Sequence, residues 1–306
     1  MTERSTAGVT AIVTAHRRLG EVLNTLRVLH DCDPSPAEVL VHVDGGEQAV
    51  AERIRAAFPD VRIIVSDERV GPGGGRNKLI AAAGHPLVAS FDDDSYPLDR
   101  DFFARLERLF VEYPEASIID SHVYHLNQAI EPDADRSAWV ADFSGGGCAY
   151  RRARFLETGG YVALTAAYGM EEVDVGLRLH ALGGRVLRSR RLRVFHNTDL
   201  ARHADAAVTA ASIANIALLA YLRYPRWLWG VAVAQCLRRI GWLLRSQRIR
   251  GILTGLASIP ATIGRHRRER HPVSTGALRS YWALRRHPIP AGGWGASVST
   301  TRQARS

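Results

Sequence analysis

Leu87-Val88-Ala89-Ser90-Phe91-Asp92-Asp93-Asp94-Ser95 is the stretch of sequence that decides the fold. Its apolar run follows Gly84-His85-Pro86, a pattern that predicts a buried strand ending in three consecutive carboxylates. Adjacent carboxylates repel one another, so this strand end requires a counter-charge. Mg²⁺ or Mn²⁺ is the simplest one, because these hard cations take oxygen ligands and leave positions for phosphate. Alternation along the strand would place Asp92 and Asp94 on one side and Asp93 on the other. An acidic turn, or an N-cap of the helix after Pro97, is the alternative.

The sequence upstream of the triplet alternates between strands and helices. Strands are predicted at Val9–Ala15, Glu38–Val43 and Val61–Val65, and helices at Leu19–His30 and Gln48–Phe58. Near-continuous apolar strands that alternate with helices indicate an α/β fold with a mostly parallel sheet covered on both faces. Ligands of such sheets bind at the carboxyl ends of the strands, which is where Asp44 and the triplet lie.

Gly71-Pro72-Gly73-Gly74-Gly75-Arg76-Asn77-Lys78 is a glycine-rich segment that opens a helix through Leu79–Ala83. Glycines allow the backbone to approach a ligand closely, and a helix N-terminus attracts anions. The segment lacks both the Gly-Lys-Ser/Thr ending of a Walker loop and the GxGxxG fingerprint after a strand. A plain flexible loop is therefore an equal interpretation.

Further along the chain, the acids Glu171, Glu172 and Asp174 crowd into the first turn of a predicted helix that ends at Gly183-Gly184. The helix dipole alone would favour acids at this position. Before this helix come a helix at Asp101–Tyr113, a strand at Ser117–Asp120 and the segment Phe143–Arg152. After it, a strand resumes at Arg185 and leads to His196.

Composition and charge limit the class of protein. A chain of 306 residues, 46% hydrophobic and 23% charged, fits one large globular domain with an appendage. Cys32, Cys148 and Cys236 are far apart, which argues for a reducing compartment without disulfides. The short polar start, Met1–Gly8, indicates no secretory signal, so we expect a cytoplasmic protein.

The net charge of +9 is unevenly distributed. From Gly184 onward there are 22 arginines, no lysine and three acids, so this third carries +19 and the preceding body −10. Nucleic acid, anionic lipid and phosphorylated substrates are all candidate partners of such a basic region.

The order of these motifs resembles that of the family 2 glycosyltransferases with the GT-A fold, in particular the rhamnosyl- and galactofuranosyl-transferases. The shared signals are an Asp-Gly turn after the second strand, a Gly-Gly-x-Arg-Asn loop, a strand-terminal Asp triplet that contains the Asp-x-Asp motif, a Ser-Gly-Gly-Gly segment, an acid pair followed by Val-Asp, and a late His. They cover roughly Val9 to His196.

The resemblance implies roles for individual residues. Those expected at the nucleotide site are Asp44, Gly74, Arg76, Asn77, Asp92 and Asp93. The expected ligands of Mg²⁺ or Mn²⁺ are Asp92, Asp94 and His196, although a lone His after a strand is often structural. Glu172 falls at the general base that deprotonates the acceptor hydroxyl.

One departure from the family pattern affects the base. The family usually carries Asp at the position of Glu172, and an extra methylene displaces the carboxylate enough to matter in a catalytic site. Either the acceptor lies further away, or Glu171 or Asp174 performs the task. The implied reaction is an inverting transfer from a UDP-, dTDP- or GDP-linked sugar to a glycan, lipid-linked or small-molecule hydroxyl, as in cell-wall or polysaccharide biosynthesis. A metal-held diphosphate leaves, and one displacement needs no carboxylate nucleophile.

The domain organisation follows from these limits. We predict a GT-A catalytic domain over residues 1–200, a basic helical extension over 201–287 and a disordered tail over 288–306. The extension places Trp227, Trp229 and Trp242 among arginines, a composition typical of an interfacial anchor at an anionic inner membrane surface. Its apolar segments at 206–222 and 227–237 are short for a spanning helix, and a solvated basic face with tryptophans in the core is the alternative.

Two other functions compete with glycosyl transfer. A nucleotidyltransferase would also use strand-end carboxylates, but it would normally carry a lysine-bearing glycine-rich loop after the first strand, where this chain has Thr14-Ala15-His16-Arg17. A non-catalytic RNA-binding protein would use the arginine-rich third, yet no nucleic-acid module signature is present and the Asp triplet would have no role.

Overall fold

The structure of the protein, a computed structural model, describes residues 6–164, 170–198 and 205–291. The first part of the chain forms β1 (Thr6–Ala15), α1 (Leu19–Asp31), β2 (Ser35–Val43), α2 (Gln48–Ala57), β3 (Arg62–Val65), α3 (Gly71–Ala82), β4 (Leu87–Asp92), β5 (Ser95–Pro97) and α4 (Phe102–Glu112). The second part forms β6 (Ala116–His125), β7 (Ser137–Val140), β8 (Gly147–Arg151), α5 (Arg152–Glu157), α6 (Glu171–Ala181) and β9 (Arg185–His196). The C-terminal region adds α7 (Ala206–Arg223), α8 (Trp229–Arg245), α9 (Ile252–His266), α10 (Thr275–Arg286) and β10 (Ile289–Pro290).

One mixed sheet forms the centre of the described structure. Its strand order is β10-β7-β9-β6-β8-β4-β1-β2-β3, and β5 pairs with β9 outside this path. The first four long strands, β1 to β4, are parallel to one another, as the sequence predicts. The later part is mixed, because β8 lies antiparallel between β4 and β6 while β6 and β9 are parallel. The predicted α/β fold with a mostly parallel sheet is thus confirmed.

Helices cover both faces of the sheet and bury its apolar side chains. On one face, Val22, Leu26 and Leu29 of α1 are fully buried at helical spacing, and the aromatic face of α4 packs beside them. On the other face, α3 and α6 pack against β4, β6 and β8 through a cluster that includes Tyr150 and Phe155. With both faces covered, the open edge at the carboxyl ends of β1, β2 and β4 becomes the natural place for a ligand.

The glycine-rich segment opens a helix, as one of its two interpretations predicted, and is not a plain flexible loop. Helix α3 begins at Gly71, so the glycines are its first turns. A Cβ at Gly75 would lie 2.5 Å from His42, and one at Gly73 would lie 2.7 Å from Glu171. These glycines therefore permit close packing of α3 between β2 and α6.

Four arginines of β9 explain part of the uneven charge. Arg188, Arg190, Arg191 and Arg193 form ion pairs with acids of the preceding body: Asp120, Glu131, Glu112 and Asp99. This stretch of the basic third therefore belongs to the sheet and neutralises the acidic body.

The C-terminal helices pack on the sheet domain and on one another. Helix α7 contacts α8 and α9, and α10 contacts α6. In the described part of the chain α7 is the one helix long and apolar enough to cross a membrane, and 61% of it is buried inside the protein, as in a core helix. The tail predicted to be disordered from residue 288 instead begins with β10, because Ile289 and Pro290 pair with β7. Residues 292–306 lie outside the described residues.

Candidate active site

The three carboxylates at the end of β4 receive their counter-charge from two arginines. Arg76, buried in α3, bonds to Asp92, whose Oδ1 also lies 3.3 Å from the hydroxyl of Thr14. Arg18, just after β1, donates to both Asp93 and Asp94. β1 and β4 are adjacent parallel strands with Thr14 opposite Asp92, which brings Arg18 to the triplet.

Strand alternation does not support the predicted same-side arrangement of Asp92 and Asp94. Strand β4 ends at Asp92, and Asp93 and Asp94 lie in the following turn, where alternation no longer applies. Asp93 and Asp94 share Arg18, while Asp92 faces Arg76. The side chain of Ser95 stabilises this turn, because its Oγ accepts the Asp92 N–H at 2.7 Å and donates to the Gly146 carbonyl at 2.6 Å.

Asp94 and His196 are brought together by the pairing of β5 with β9. Asp94 Oδ1 is buried without a well-aligned hydrogen bond and lies 3.1 Å from His196 Nε2, while Oδ2 accepts from Arg18 and Thr198. Carboxylate oxygens are ligands that suit Mn²⁺ or Mg²⁺, and imidazole nitrogen is a common ligand of other divalent transition metals. Within the described residues, no set of three or more His, Cys, Asp or Glu is already grouped as a metal site. The donor types nevertheless fit a divalent cation held by Asp94 and His196, with Asp92 nearby.

The acids of the triplet differ in their ionisation. Burial raises the pKa of Asp93 to about 7, and the charges of Asp94 and Asp92 add to this effect while Arg18 opposes it. Burial also acts on Asp94, but the interaction with His196 and the charge of Arg18 together hold its pKa well below its usual range. Asp94 is therefore ionised throughout the physiological range.

Two clefts meet at Asp92. The first, which we name the Asp44 cleft, measures about 310 Å³ and is lined by Asp44, Arg18, Asp92 and Asp93, together with His16, His42, Arg69 and residues of β1 and α3. The second, the Glu172 cleft, measures about 280 Å³ and is lined by Glu172, Asp92, His196, His125 and the segment Phe143–Gly146. A molecule that occupied both would pass directly over Asp92.

The segment Ser144–Gly146 forms the wall shared by Asp92 and Glu172. A Cβ at Gly146 would lie 2.2 Å from Asp92 Oδ2, and one at Gly145 would lie 2.6 Å from Glu172 Oε1. Asp120 fixes this segment by accepting the Ser144 N–H at 2.9 Å. Glycine at both positions therefore leaves room for the carboxylates of Asp92 and Glu172, which a side chain would displace.

The acid pair at the start of α6 is divided between cleft and core. Glu172 is partly exposed and lines the cleft, whereas Glu171 is buried against Gly73 of α3. Burial raises the pKa of Glu171 to about 8, and the charge of Glu172 adds to it. Burial also raises the pKa of Glu172, against the opposing charge of Arg76. Glu172 is thus a carboxylate of increased basicity that faces the open site.

Asp174 lies away from both clefts. It is fully buried, and its oxygens accept from Arg178 at 2.5 Å and from Arg223 of α7. With both oxygens engaged by arginines, Asp174 joins α6 to the C-terminal helices, in contrast to its prediction as a base.

Of the residues expected at the nucleotide site, Asp44 lines a cleft, whereas Asn77 and Gly74 do not. Asp44 lines its cleft but also accepts the Val70 and Gly71 N–H groups at 2.8 and 3.0 Å, so it caps α3. Asn77 exchanges two hydrogen bonds of 2.8 Å with the backbone of Tyr161, and Gly74 packs against Val70. These last two, expected to line the nucleotide site, instead hold α3 in place.

Sequence reasoning missed Arg18, Ser95 and Thr198, which hold the triplet. Arg18 had a usable signal, because it follows the strand predicted next to the carboxylates and lies at the same sheet edge. Ser95 lies in a turn and Thr198 follows the end of a strand, and no repeating sequence pattern predicts contacts at such positions.

Comparison with known proteins indicates the family. The sequence profile described as glycosyl transferase family 2 matches residues 10–157, a range that includes Asp44, α3, the Asp triplet and the glycine wall. This match covers just under half of the chain and supports its assignment to glycosyl transferase family 2. The match is to the family as a whole and does not specify a rhamnosyl- or galactofuranosyl-transferase subgroup. No curated protein matches the sequence.

Solved glycosyltransferase structures share the fold of this chain at low sequence identity. GalNAc-T7 with UDP, GalNAc and Mn²⁺ is 14% identical with a TM-score of 0.56, over 74% of this chain and 49% of that chain. This chain thus spans about half the length of GalNAc-T7. The mannosyltransferase PcManGT from Pyrobaculum calidifontis, with GDP-Man and Mn²⁺, is 14% identical with a TM-score of 0.54, over 96% of this chain and 81% of that chain. S. aureus TarS 1-349 with UDP-GlcNAc is 14% identical with a TM-score of 0.52, covering 76% and 72%. The likeness establishes the GT-A fold.

Proposed function

We propose that this protein transfers a sugar from a nucleoside diphosphate sugar to a hydroxyl acceptor, with inversion at the anomeric carbon. The observation that carries the proposal is the position of Asp92 where the Asp44 cleft meets the Glu172 cleft. A nucleotide in the first cleft would place its diphosphate at the triplet and its sugar toward Glu172. The nucleotide sugars bound by structures of the same fold, UDP-GlcNAc in TarS and GDP-Man in PcManGT, support this donor class.

A divalent cation would be held by Asp94 and His196, with Asp92 as a further ligand. Such an ion supplies Lewis-acid neutralisation of the departing diphosphate. The Mn²⁺ in GalNAc-T7 and PcManGT supports this assignment. Arg18 adds a fixed positive charge at the same place, close to where the leaving phosphate charge develops.

Glu172 would act as the general base from the opposite side of the sugar. It takes the proton of the acceptor hydroxyl, whose oxygen forms the new bond to the anomeric carbon while the bond to the diphosphate oxygen breaks. The electron pair of that bond leaves with the nucleoside diphosphate, so no covalent enzyme intermediate is required. Glu171 is too buried to reach an acceptor, and the charge of Glu172 adds to the burial that raises its pKa to about 8.

Glu172→Gln tests the proposed function most directly. It keeps the shape and removes the base, so kcat should fall roughly 10²- to 10⁴-fold, while nucleotide-induced stabilisation barely changes. Glu171→Gln is the matched control, because it makes the same replacement at the adjacent buried acid and should retain turnover. The assay measures nucleoside diphosphate release across UDP-, dTDP- and GDP-sugars with Mn²⁺ or Mg²⁺. A dead Glu171→Gln beside an active Glu172→Gln would transfer the role to Glu171, and the absence of any nucleotide sugar binding would refute the transferase itself.

Residues 1–200 would form the catalytic unit, and residues 201–287 an extension that contacts the anionic inner surface of the cell membrane. Exposed apolar side chains support this role, since Trp227, Leu237 and Leu253 are 64%, 63% and 81% exposed in an extension that also carries many arginines. Flotation with anionic and neutral liposomes at low and high salt measures it. Binding should require anionic lipid and weaken with salt, whereas indifference to lipid charge would contradict it.

A further inference from the structure

A cavity of about 490 Å³ lies among the C-terminal helices, outside both clefts of the catalytic site. Its walls are mainly apolar or aromatic, with the polar side chains of Ser212 and Gln235 among them. The apolar part is formed by Val173 and Leu177 of α6, Ile216 and Leu219 of α7, and Trp242 and Trp282. This volume falls within the range of roughly 300–1,000 Å³ that is usual for small-molecule sites. The cavity is therefore large enough and apolar enough to hold a hydrocarbon chain.

Arginines surround this apolar cavity. Arg238, Arg239 and Arg285 line it, and its described lining contains no acidic side chain. Arg239 is held 3.2 Å from Ser212 and over the ring of Trp242, and Arg285 pairs with Asp142 at 2.7 Å. Arg238 is exposed and makes no ion pair within the described ranges. An apolar interior bordered by cations is complementary to a molecule with a hydrocarbon chain and an anionic head.

The cavity borders the catalytic site through two short connections. Val173, which lines the cavity, directly follows Glu172, so the two sites lie on either side of the first turn of α6. Asp142 pairs with Arg285 beside the cavity, and the residues after it, Phe143 and Ser144, line the Glu172 cleft. A molecule anchored in the cavity would thus have its head close to the elements that hold the base.

We infer that this cavity binds the lipid phosphate portion of an acceptor, with the chain among the tryptophans and the phosphate at Arg238 and its neighbours. This assignment of the acceptor rests on the proposed transferase function. Binding itself involves no bond making, and it can be measured without a donor.

Titration with farnesyl phosphate below its micellar concentration, followed by tryptophan fluorescence, tests the inference because Trp242 and Trp282 line the cavity. Wild-type protein should bind farnesyl phosphate at least about tenfold more tightly than farnesol or inorganic phosphate. Arg238→Gln should weaken binding about tenfold, and Arg245→Gln, an exposed arginine of the same helix that lines no described cavity, should leave it unchanged. Ile216→Trp should abolish binding by filling the cavity.

Nucleotide-induced thermal stabilisation is measured on every variant as a separate readout. Retained nucleotide stabilisation in Ile216→Trp shows that the variant is folded and leaves the loss of lipid phosphate assigned to the cavity. Equal binding of farnesol, full competition by inorganic phosphate, or unchanged binding by Ile216→Trp would each overturn the inference while leaving the transferase proposal intact. Failure of nucleotide binding in the wild type would refute the transferase and not the cavity.

Discussion

The replacement Asp174→Asn should destabilise the protein strongly, because it breaks a buried ion-pair cluster. Asp174 is fully buried and the Arg223 side chain is 4% exposed, so neither charge is compensated by water. The carboxylate accepts from Nε and Nη2 of Arg223 and from Nε and Nη2 of Arg178. Removing one partner of a buried pair leaves an uncompensated charge and costs about 3–5 kcal/mol. We expect about 4 kcal/mol here, since two arginines would lose their partner at once.

Urea unfolding followed by circular dichroism measures this loss as a lower midpoint at unchanged slope. Glu112→Gln is the matched control, because Glu112 pairs with Arg191 at the surface and its removal should cost less than about 1 kcal/mol. Activity should fall with stability, since α6 carries Glu172 only two residues before Asp174. A loss below about 1 kcal/mol for Asp174→Asn, equal to that of an exposed pair, would refute the argument that this cluster joins α6 to the extension.

Other replacements test the site itself. Because a base acts when ionised, kcat/KM should rise with pH as Glu172 loses its proton, and the residual activity of Glu172→Gln should lack that rise; a pH–rate profile decides. Asp94→Asn should remove most of the Mn²⁺-dependent stabilisation by nucleoside diphosphate, and an unchanged melting shift would contradict its role as a ligand. Asn77→Ala should cost about 1–3 kcal/mol in urea unfolding, since it leaves backbone groups of Tyr161 unpaired.

The sheet and its carboxylate edge could be predicted because they depend on short-range pattern. Apolar runs alternating with amphipathic helices place the early strands and the end of β4 correctly, and the acid pair falls at the start of a helix as expected. The antiparallel β8 was not predicted, because its pairing with β4 and β6 depends on contacts distant in sequence.

The partners of the carboxylates were harder to predict than the carboxylates themselves. The triplet requires positive charge, and a divalent ion satisfies that need in sequence reasoning, yet Arg18 and Arg76 already supply part of it. The partner of Asp174 could not be predicted from the sequence either. The position of Asp174 in the acid motif is correct, but Arg223 lies 49 residues further along the chain, and no local pattern connects the two.

The helical extension is attached to the sheet domain at two points. Arg223 of its first helix pairs with Asp174 of α6, and β10, which follows its last helix, pairs with β7. Because the extension is attached at two points, the distance from the arginine-lined cavity to Glu172 is fixed. For an acceptor anchored in that cavity, the enzyme would select by length, and only the hydroxyl at the matching distance from the head group would be glycosylated.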